Sequence, residues 1–550
     1  MSAKASLTNK ISIKIKNFFN KYPWQFWMIV ISAIMVQLLL FKFKSVFHVD
    51  ELSTLGVAFG DKEVLLFHHP DEFDNKLFTG KELYNQFMSA QGRYGRLWEN
   101  LPLDHQMPLY FVLLNIFGSD FYTHFTILPA IWVNGLSLIG ALWGFYALAM
   151  RLFNKQEIAT ISLIFFAFMP SVLSMEVFVR MYLLWMALSL WGTIYLIDYL
   201  EYEKKNSLIY VFLFISAQNL THYYGLIFAF ILALCGGSFL LFSKRYRQLV
   251  YFACTMIGTV IFTLAIYPKM IEVGYNSERG TEFWENIKLL FLNPKSIFRE
   301  KLPYFYNSIC GGGHTLLTEL FLLISGCFLA LRKKYISFKQ CHLIIFLTSL
   351  VLGYGFCAAW IQPNMLSYQV RYFSPIIPLS ALLGIYILVI WSNLLHINKN
   401  VFTFLLWLGA AIWGINAGMN TNNPFYFRGT RETEKLDNIL KNTDIWWAMG
   451  GGWVYSYYIH NYADKVEKID KIWSLADFEN KNFIAFSNEE MASKKYAYAL
   501  FPYQQGQAPE WVINWIKETT GRKAFYLFKI PYSPEYPISP AASVFLVAPY

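Results

Sequence analysis

Long apolar runs separated by short polar connections fill the chain up to about Ile415, and that spacing predicts a stack of membrane-crossing helices. A helix needs about 20 apolar residues to cross the hydrocarbon core of a bilayer. Runs near that length fall at Trp24–Phe43, Ile127–Met150, Ile158–Leu173, Phe178–Ile197, Leu208–Leu220, Tyr224–Phe242, Leu249–Tyr267, Leu316–Leu331, Leu343–Ile361, Tyr372–Trp391 and Val401–Ile415. The reading is an all-α polytopic membrane domain of about eleven transmembrane helices over residues 24–419, after a basic cytoplasmic N-terminus at 1–23. Lysines 4, 10, 14, 16 and 21 precede the first run, and no small-residue cleavage site follows. That run is therefore expected to be an anchored span rather than a removed leader.

The periodicity changes after Asn420. Charged and amide residues return, and no run is long enough to span. Glu432–Leu440 and Glu510–Thr519 carry helical patterns, while Ile445–Met449, Phe483–Phe486, Ala524–Phe528 and Ser543–Val547 read as strands. The alternation predicts a C-terminal extracytoplasmic α/β domain over 420–550.

Basic residues orient the stack, because lysine and arginine are enriched in cytoplasmic connections. Arg151 with Lys155, Lys204 with Lys205, Lys244 with Arg245 and Arg247, Arg332 to Lys334, and Lys399 fall at every second connection, as a serpentine path requires. Pro108–Phe117 is about half a crossing, and counting it would turn Arg151 outward, so it is placed as an interfacial helix on the outer face. The outer side then collects a large first loop (47–107), the Met175–Val179 connection, the Asn219–Tyr223 turn, the Pro268–His314 loop, the Gln362–Arg371 connection and the tail.

Composition agrees. Hydrophobic residues make up 56% of the 550 and charged residues only 15%, against about 25% charged in soluble domains. The net charge of +10 fits loop bias toward a lipid bilayer, and no nucleic-acid motif accompanies it. The six cysteines (235, 254, 310, 327, 341, 357) sit in or beside apolar runs and lack zinc-ligand spacing.

Five polar groups share the outer side. Asp50 and Glu51 follow the first span. They are either solvated loop carboxylates or a general base placed where a lipid-borne donor meets an acceptor from water. Asp104, His105 and Gln106 precede the interfacial helix, as a turn or as a polar rim above the same cavity. Glu176 and Arg180 have the spacing of an i,i+4 ion pair. Alternatively Arg180, with Tyr182 beside it, holds a phosphate. His222 and Tyr223 lie in an outer turn. Arg371 opens the tenth span and either snorkels to headgroups or supplies a second phosphate contact. Lys269 lies in the long loop, where Gly311–Gly313 is a candidate hinge. His68, His69, Asp71, Glu72 and Asp74 lack a fixed ligand spacing, so a divalent metal is possible chemically but not indicated. The Gly450–Gly452 cluster lacks nucleotide-turn spacing.

In order and in sidedness these groups resemble the GT-C superfamily of membrane glycosyltransferases, in the bacterial branch related to protein O-mannosyltransferases and lipid A aminoarabinose transferases. Val49-Asp50-Glu51 matches the Asp-Glu motif of the first outer loop. Asp104 to Tyr110 resembles Asp-x-His-Pro-Pro-Leu-Tyr, with Gln106 and Met107 in place of His and Pro. Arg180-Met181-Tyr182 matches an Arg-Met-Tyr signature, although the preceding acidic residue stands further away than is usual. Arg371-Tyr372 resembles an Arg-Tyr pair ahead of Pro375 and Pro378.

The resemblance implies an inverting transferase that moves a sugar from a polyprenyl-phosphate carrier to a hydroxyl of a glycan, glycolipid or protein, at the periplasmic face of a bacterial inner membrane. Asp50 would be the base, Glu51 would orient it or the acceptor, and Arg180 and Arg371 would hold the donor phosphate. His222 and Lys269 are supported by location alone. Two rivals share the architecture: a flippase for lipid-linked glycans, and a ligase or oligosaccharyltransferase that moves a whole glycan.

Overall fold

The computed structural model describes residues 22–44, 49–59, 77–78, 94–102, 106–118, 127–276, 315–361, 371–419, 446–450, 469–474, 497–501, 523–531 and 540–547, with isolated positions between 284 and 292, at 435 and from 510 to 517. Its helices are α1 (Trp24–Phe43), α2 (Val49–Phe59), α3 (Tyr94–Asn100), α4 (Pro108–Gly118), α5 (Leu128–Phe153), α6 (Gln156–Ala167), α7 (Pro170–Val177), α8 (Tyr182–Tyr202), α9 (Ser207–Asn219), α10 (Tyr224–Phe242), α11 (Tyr246–Ile266), α12 (Lys269–Asn276), α13 (Thr315–Arg332), α14 (Phe338–Ile361), α15 (Ile377–Leu394) and α16 (Lys399–Met419).

All eleven apolar runs are helical. Seven of these helices are long and apolar enough to cross a membrane, and α6 with α7 makes an eighth as a pair bent by 56°. The protein is an integral membrane protein by that measure. The bend follows from sequence: Pro170 opens α7 at its first turn, where a missing N–H costs nothing, but it cannot continue α6. The span expected at Ile158–Leu173 is therefore two helices. The next begins at Tyr182 rather than Phe178, which leaves a bent, non-helical joint at residues 178–181.

Helix α4 spans 11 residues, about 16 Å at 1.5 Å per residue, and so is too short to cross. It does not lie loose on a surface. Tyr110, Phe111, Leu114 and Asn115 are buried, and its first turn is tied to the bundle by the Leu109 N–H donating to the Leu220 carbonyl at 2.8 Å. The main apolar core lies between α5, α8, α10, α14 and α15, with Trp185, Phe145, Phe166, Phe228 and Tyr354 fully buried.

The tail and first loop together form one six-stranded sheet. Its strands are β1 (Leu77–Phe78), β2 (Trp446–Gly450), β3 (Ile469–Ser474), β4 (Ala497–Phe501), β5 (Ala524–Pro531) and β6 (Pro540–Val547), in the order β1-β3-β2-β4-β6-β5. β2 pairs in parallel with both β3 and β4, and the remaining pairs are antiparallel. Three expected strands are present, and β3 and β4 add two more. The strand expected at Phe483–Phe486 and most of both expected tail helices lie outside the described residues. β1 comes from the first loop, with Leu77 opposite Trp473, so that loop and the tail share a sheet.

Candidate functional site

The charged residues singled out in the sequence meet at one end of the bundle, here the Asp50 end. Asp50 and Glu51 open α2, where carboxylates are favoured by the exposed N–H groups of a helix start. The Thr54 hydroxyl donates to the Asp50 carbonyl at 2.8 Å and closes that first turn.

Arg180 sits in the bent joint between α7 and α8. The joint is held from several sides. Asn134 Nδ2 donates to the carbonyls of Glu176 at 3.1 Å and Phe178 at 2.9 Å, Gln37 Nε2 donates to the Glu176 carbonyl at 3.2 Å, and the Tyr110 hydroxyl donates to Asn134 Oδ1 at 2.9 Å. These donors satisfy carbonyls that the end of α7 leaves open. With the helix ended at Val177, the four-residue spacing of Glu176 and Arg180 no longer places them on one face. The i,i+4 pair is replaced: Arg180 Nη2 lies 3.5 Å from Asp50 Oδ1. The Glu176 carboxyl is fully buried, and neither oxygen has a hydrogen-bond partner among the described residues.

Arg371 begins the tight turn that leads into α15, where Pro378 occupies the first turn. Its Nη1 donates to Asp50 Oδ2 at 2.7 Å. Its guanidinium lies over the rings of Tyr372 at 5.3 Å, Tyr182 at 5.6 Å and Phe178 at 5.8 Å, a cation–π setting. Asp50 thus holds two arginines, one on each oxygen. Both guanidiniums are nearly buried (6–7% exposed), while the Asp50 side chain retains 20% exposure, so it is the most open member of the triad.

Below the arginines lies an aromatic floor. The His222 ring stacks on Trp185 at 4.5 Å with an interplanar angle of 5°, and Tyr182, Tyr224 and Tyr372 lie within 5.8 Å of the same ring. His222 Nδ1 accepts from the Tyr224 N–H at 3.0 Å, which leaves Nε2 to carry the proton of the neutral imidazole. His222 and Tyr182 are therefore brought to the Asp50 cluster.

Other expected residues stand apart. Tyr223 belongs to the cluster of Leu220, Tyr267 and Met270. Lys269 is exposed at the start of α12. Gln106 lies just ahead of α4, where its N–H donates to the Leu101 carbonyl at 3.2 Å. Asp104, His105, Gly311–Gly313 and the His68–Asp74 group lie outside the described residues. Among the described residues no group of three or more His, Cys, Asp or Glu is placed to hold a metal ion.

Glu51 faces inward. It is fully buried, forms an ion pair with Lys44 and accepts from the Val179 N–H at 2.7 Å. Lys44, which the sequence reading passed over, also donates to the Val177 carbonyl at 2.7 Å. Burial pushes the Lys44 ammonium below the ordinary lysine range, and the Glu51 carboxylate opposes that shift. One signal was available: a lysine just beyond an apolar span, seven residues before an acidic residue.

No protein-family model and no curated protein matches the sequence. Solved structures resemble it in outline. ArnT from Cupriavidus metallidurans bound to undecaprenyl phosphate aligns with a TM-score of 0.47 and 10% identity, covering 94% of this chain and 97% of that one. The oligosaccharyltransferase of Archaeoglobus fulgidus, tethered to an acceptor peptide, aligns with a TM-score of 0.41 and 12% identity over 86% of this chain and 69% of that one. At these scores neither likeness carries an argument about activity.

Proposed function

We propose that this protein is an inverting membrane glycosyltransferase of the GT-C type, taking a sugar from a polyprenyl-phosphate carrier at the periplasmic face of a bacterial inner membrane. One observation carries the reading. Asp50, Arg180 and Arg371, drawn from three motifs spread over 321 residues, converge at the ends of three helical segments. A buried pair of guanidiniums suits a phosphate, and a partly exposed carboxylate between them suits a base.

The chemistry balances with these groups alone. The acceptor hydroxyl attacks the anomeric carbon from the face opposite the phosphate. The bond from that carbon to the phosphate oxygen breaks and its electron pair leaves with the polyprenyl phosphate. Asp50 takes the hydroxyl proton. Arg180 and Arg371 stabilise the charge that grows on the leaving phosphate, where fixed donors act most strongly.

The two roles compete within this cluster. One guanidinium on each Asp50 oxygen occupies the atoms that a base would use. Arrival of the donor phosphate draws both arginines toward itself and leaves Asp50 as the stronger base. Donor binding therefore precedes productive acceptor binding, and the base is armed only when a donor is present.

A flippase would need functional charge near the midplane of the bilayer. The buried Asp50–Arg180–Arg371 cluster instead lies at one end of the bundle, which favours transfer. The decisive experiment is reconstitution with polyprenyl-phosphate sugars and measurement of transfer to glycan, glycolipid and protein acceptors. Asp50→Asn is expected to lower kcat by about 1,000-fold, the usual scale of a lost general base. Full activity in that variant overturns the assigned base.

A further inference from the structure

The geometry points to Lys44 and Glu51 as a positioning pair for the reaction, with Glu51 acting on the peptide joint that carries Arg180 rather than on any substrate. The inference rests on the reading of Asp50 as base and deepens it.

Three contacts define the device. Lys44 lies just past the end of α1, and Glu51 in the first turn of α2 pairs with it. The Lys44 ammonium also donates to the Val177 carbonyl at 2.7 Å, the last residue of α7. Glu51 Oε1 also accepts the Val179 N–H at 2.7 Å, one residue before Arg180. Both side chains are completely buried. The pair thus grips both sides of Phe178 and ties the end of α1 and the start of α2 to a joint 128 residues further along the chain.

Two consequences follow. Glu51 and Asp50 are neighbours on one helical turn, so the pair fixes the base-bearing helix and the joint of its cationic partner against each other. The Arg180–Asp50 separation of 3.5 Å depends on that grip. Glu51 also has no open side through which to meet an acceptor: its exposure is zero, against 20% for Asp50. The adjacent acidic residues therefore divide the work, one toward substrate and one toward the scaffold.

Energetics sharpen the test. Removing one partner of a buried ion pair leaves an uncompensated charge and is strongly destabilising, whereas replacing both by apolar residues of similar size is often tolerated. Lys44→Met alone is therefore a poor probe of mechanism. Lys44→Met with Glu51→Leu removes the grip and keeps the packing. Glu51→Gln does the opposite: its amide oxygen still accepts from Lys44 and Val179, and Lys44, whose charged form burial already disfavours, can shed its proton and remain a donor instead of an unpaired charge.

The experiment measures transfer from a polyprenyl-phosphate sugar in full-length wild-type protein, Glu51→Gln and the double variant, together with hydrogen exchange of the segment holding Val179. Glu51→Gln is expected to keep kcat within about tenfold, with slow exchange at Val179. The double variant is expected to stay folded, to exchange faster there, and to lose about 100-fold in kcat, the scale of a misplaced catalytic group. An inactive Glu51→Gln with native exchange overturns the inference, because the carboxylate charge would then serve chemistry. A fully active double variant overturns it as well. The exchange readout needs no substrate: unchanged exchange in the double variant refutes the grip, whereas absence of transfer in wild type refutes only the assigned reaction.

Discussion

The two ends of the helical bundle use charge in opposite ways. At the end away from Asp50 the ion pairs are shallow. Arg151–Asp198 (3.0 Å), Arg245–Glu203 (3.1 Å), Lys339–Glu201 (3.2 Å) and Lys399–Glu157 (3.8 Å) each leave at least one side chain a quarter or more exposed. The connections there are tight. All five described non-glycine residues with positive φ (Asn154, Glu203, Lys244, Lys334 and His396) lie in these turns. They act as left-handed helix ends that reverse the chain in a few residues. At the Asp50 end the side chains of Lys44, Glu51, Arg180 and Arg371 are themselves buried or nearly so. Short turns with solvated pairs hold helices together. Buried charge is costly unless it is matched, and its concentration at one end fits the proposal that the site lies there.

Substitutions that break this contrast should differ by orders of magnitude. Asp50→Asn comes first, with about 1,000-fold lost in kcat for transfer at unchanged folding, read by steady-state assay and thermal unfolding. Arg371→Lys follows. Lysine keeps the charge but loses the planar fork that meets the carboxylate and lies over the Tyr182 and Tyr372 rings, so kcat/KM should fall about 100-fold.

Gly225→Ala tests the aromatic floor. A Cβ there would stand 2.7 Å from the Gln218 carbonyl oxygen, and the Gly225 N–H donates to the His222 carbonyl at 2.8 Å. The His222 turn must shift, costing roughly 1–3 kcal/mol in stability and raising the donor KM, seen in paired unfolding and kinetic measurements. At the opposite end Lys399→Ala, which breaks a pair with both side chains about half or more exposed, should cost about 1 kcal/mol or less and leave kcat unchanged within error. A large activity loss in that variant would erase the distinction between the two ends.

The fold was legible because apolar length is a strong signal. Every expected span is helical, one of them as two helices bent at Pro170, and α4 is too short to cross, as the length of its run indicated. The bend at Pro170 and the joint at residues 178–181 were less legible. A continuous apolar run hides a helix end, so Glu176 and Arg180 looked like turn neighbours when the chain had already left the helix between them.

The site was half legible. Asp50, Arg180 and Arg371 are recognisable as charges at span ends, and the fold brings them together. Lys44 was missed because a lysine after a span reads as an interfacial anchor, and nothing local reveals a partner 133 residues away in the Val177 carbonyl. In the tail, β3 and β4 escaped because Asp470 and Lys471 interrupt the apolar pattern of the first, and Ala497 and Ala499 give the second weak strand propensity. Their pairing with β2 is set by register across the sheet rather than by local pattern.

The central claim is that Arg180 and Arg371 leave Asp50 for the donor phosphate. An experimental structure with a polyprenyl phosphate bound tests it directly. The account predicts phosphate oxygens within hydrogen-bond reach of both guanidiniums, with the Arg371–Asp50 contact lengthened from its present 2.7 Å and the Asp50 carboxylate facing open space. A phosphate bound elsewhere, with both arginines still closed on Asp50, would contradict it.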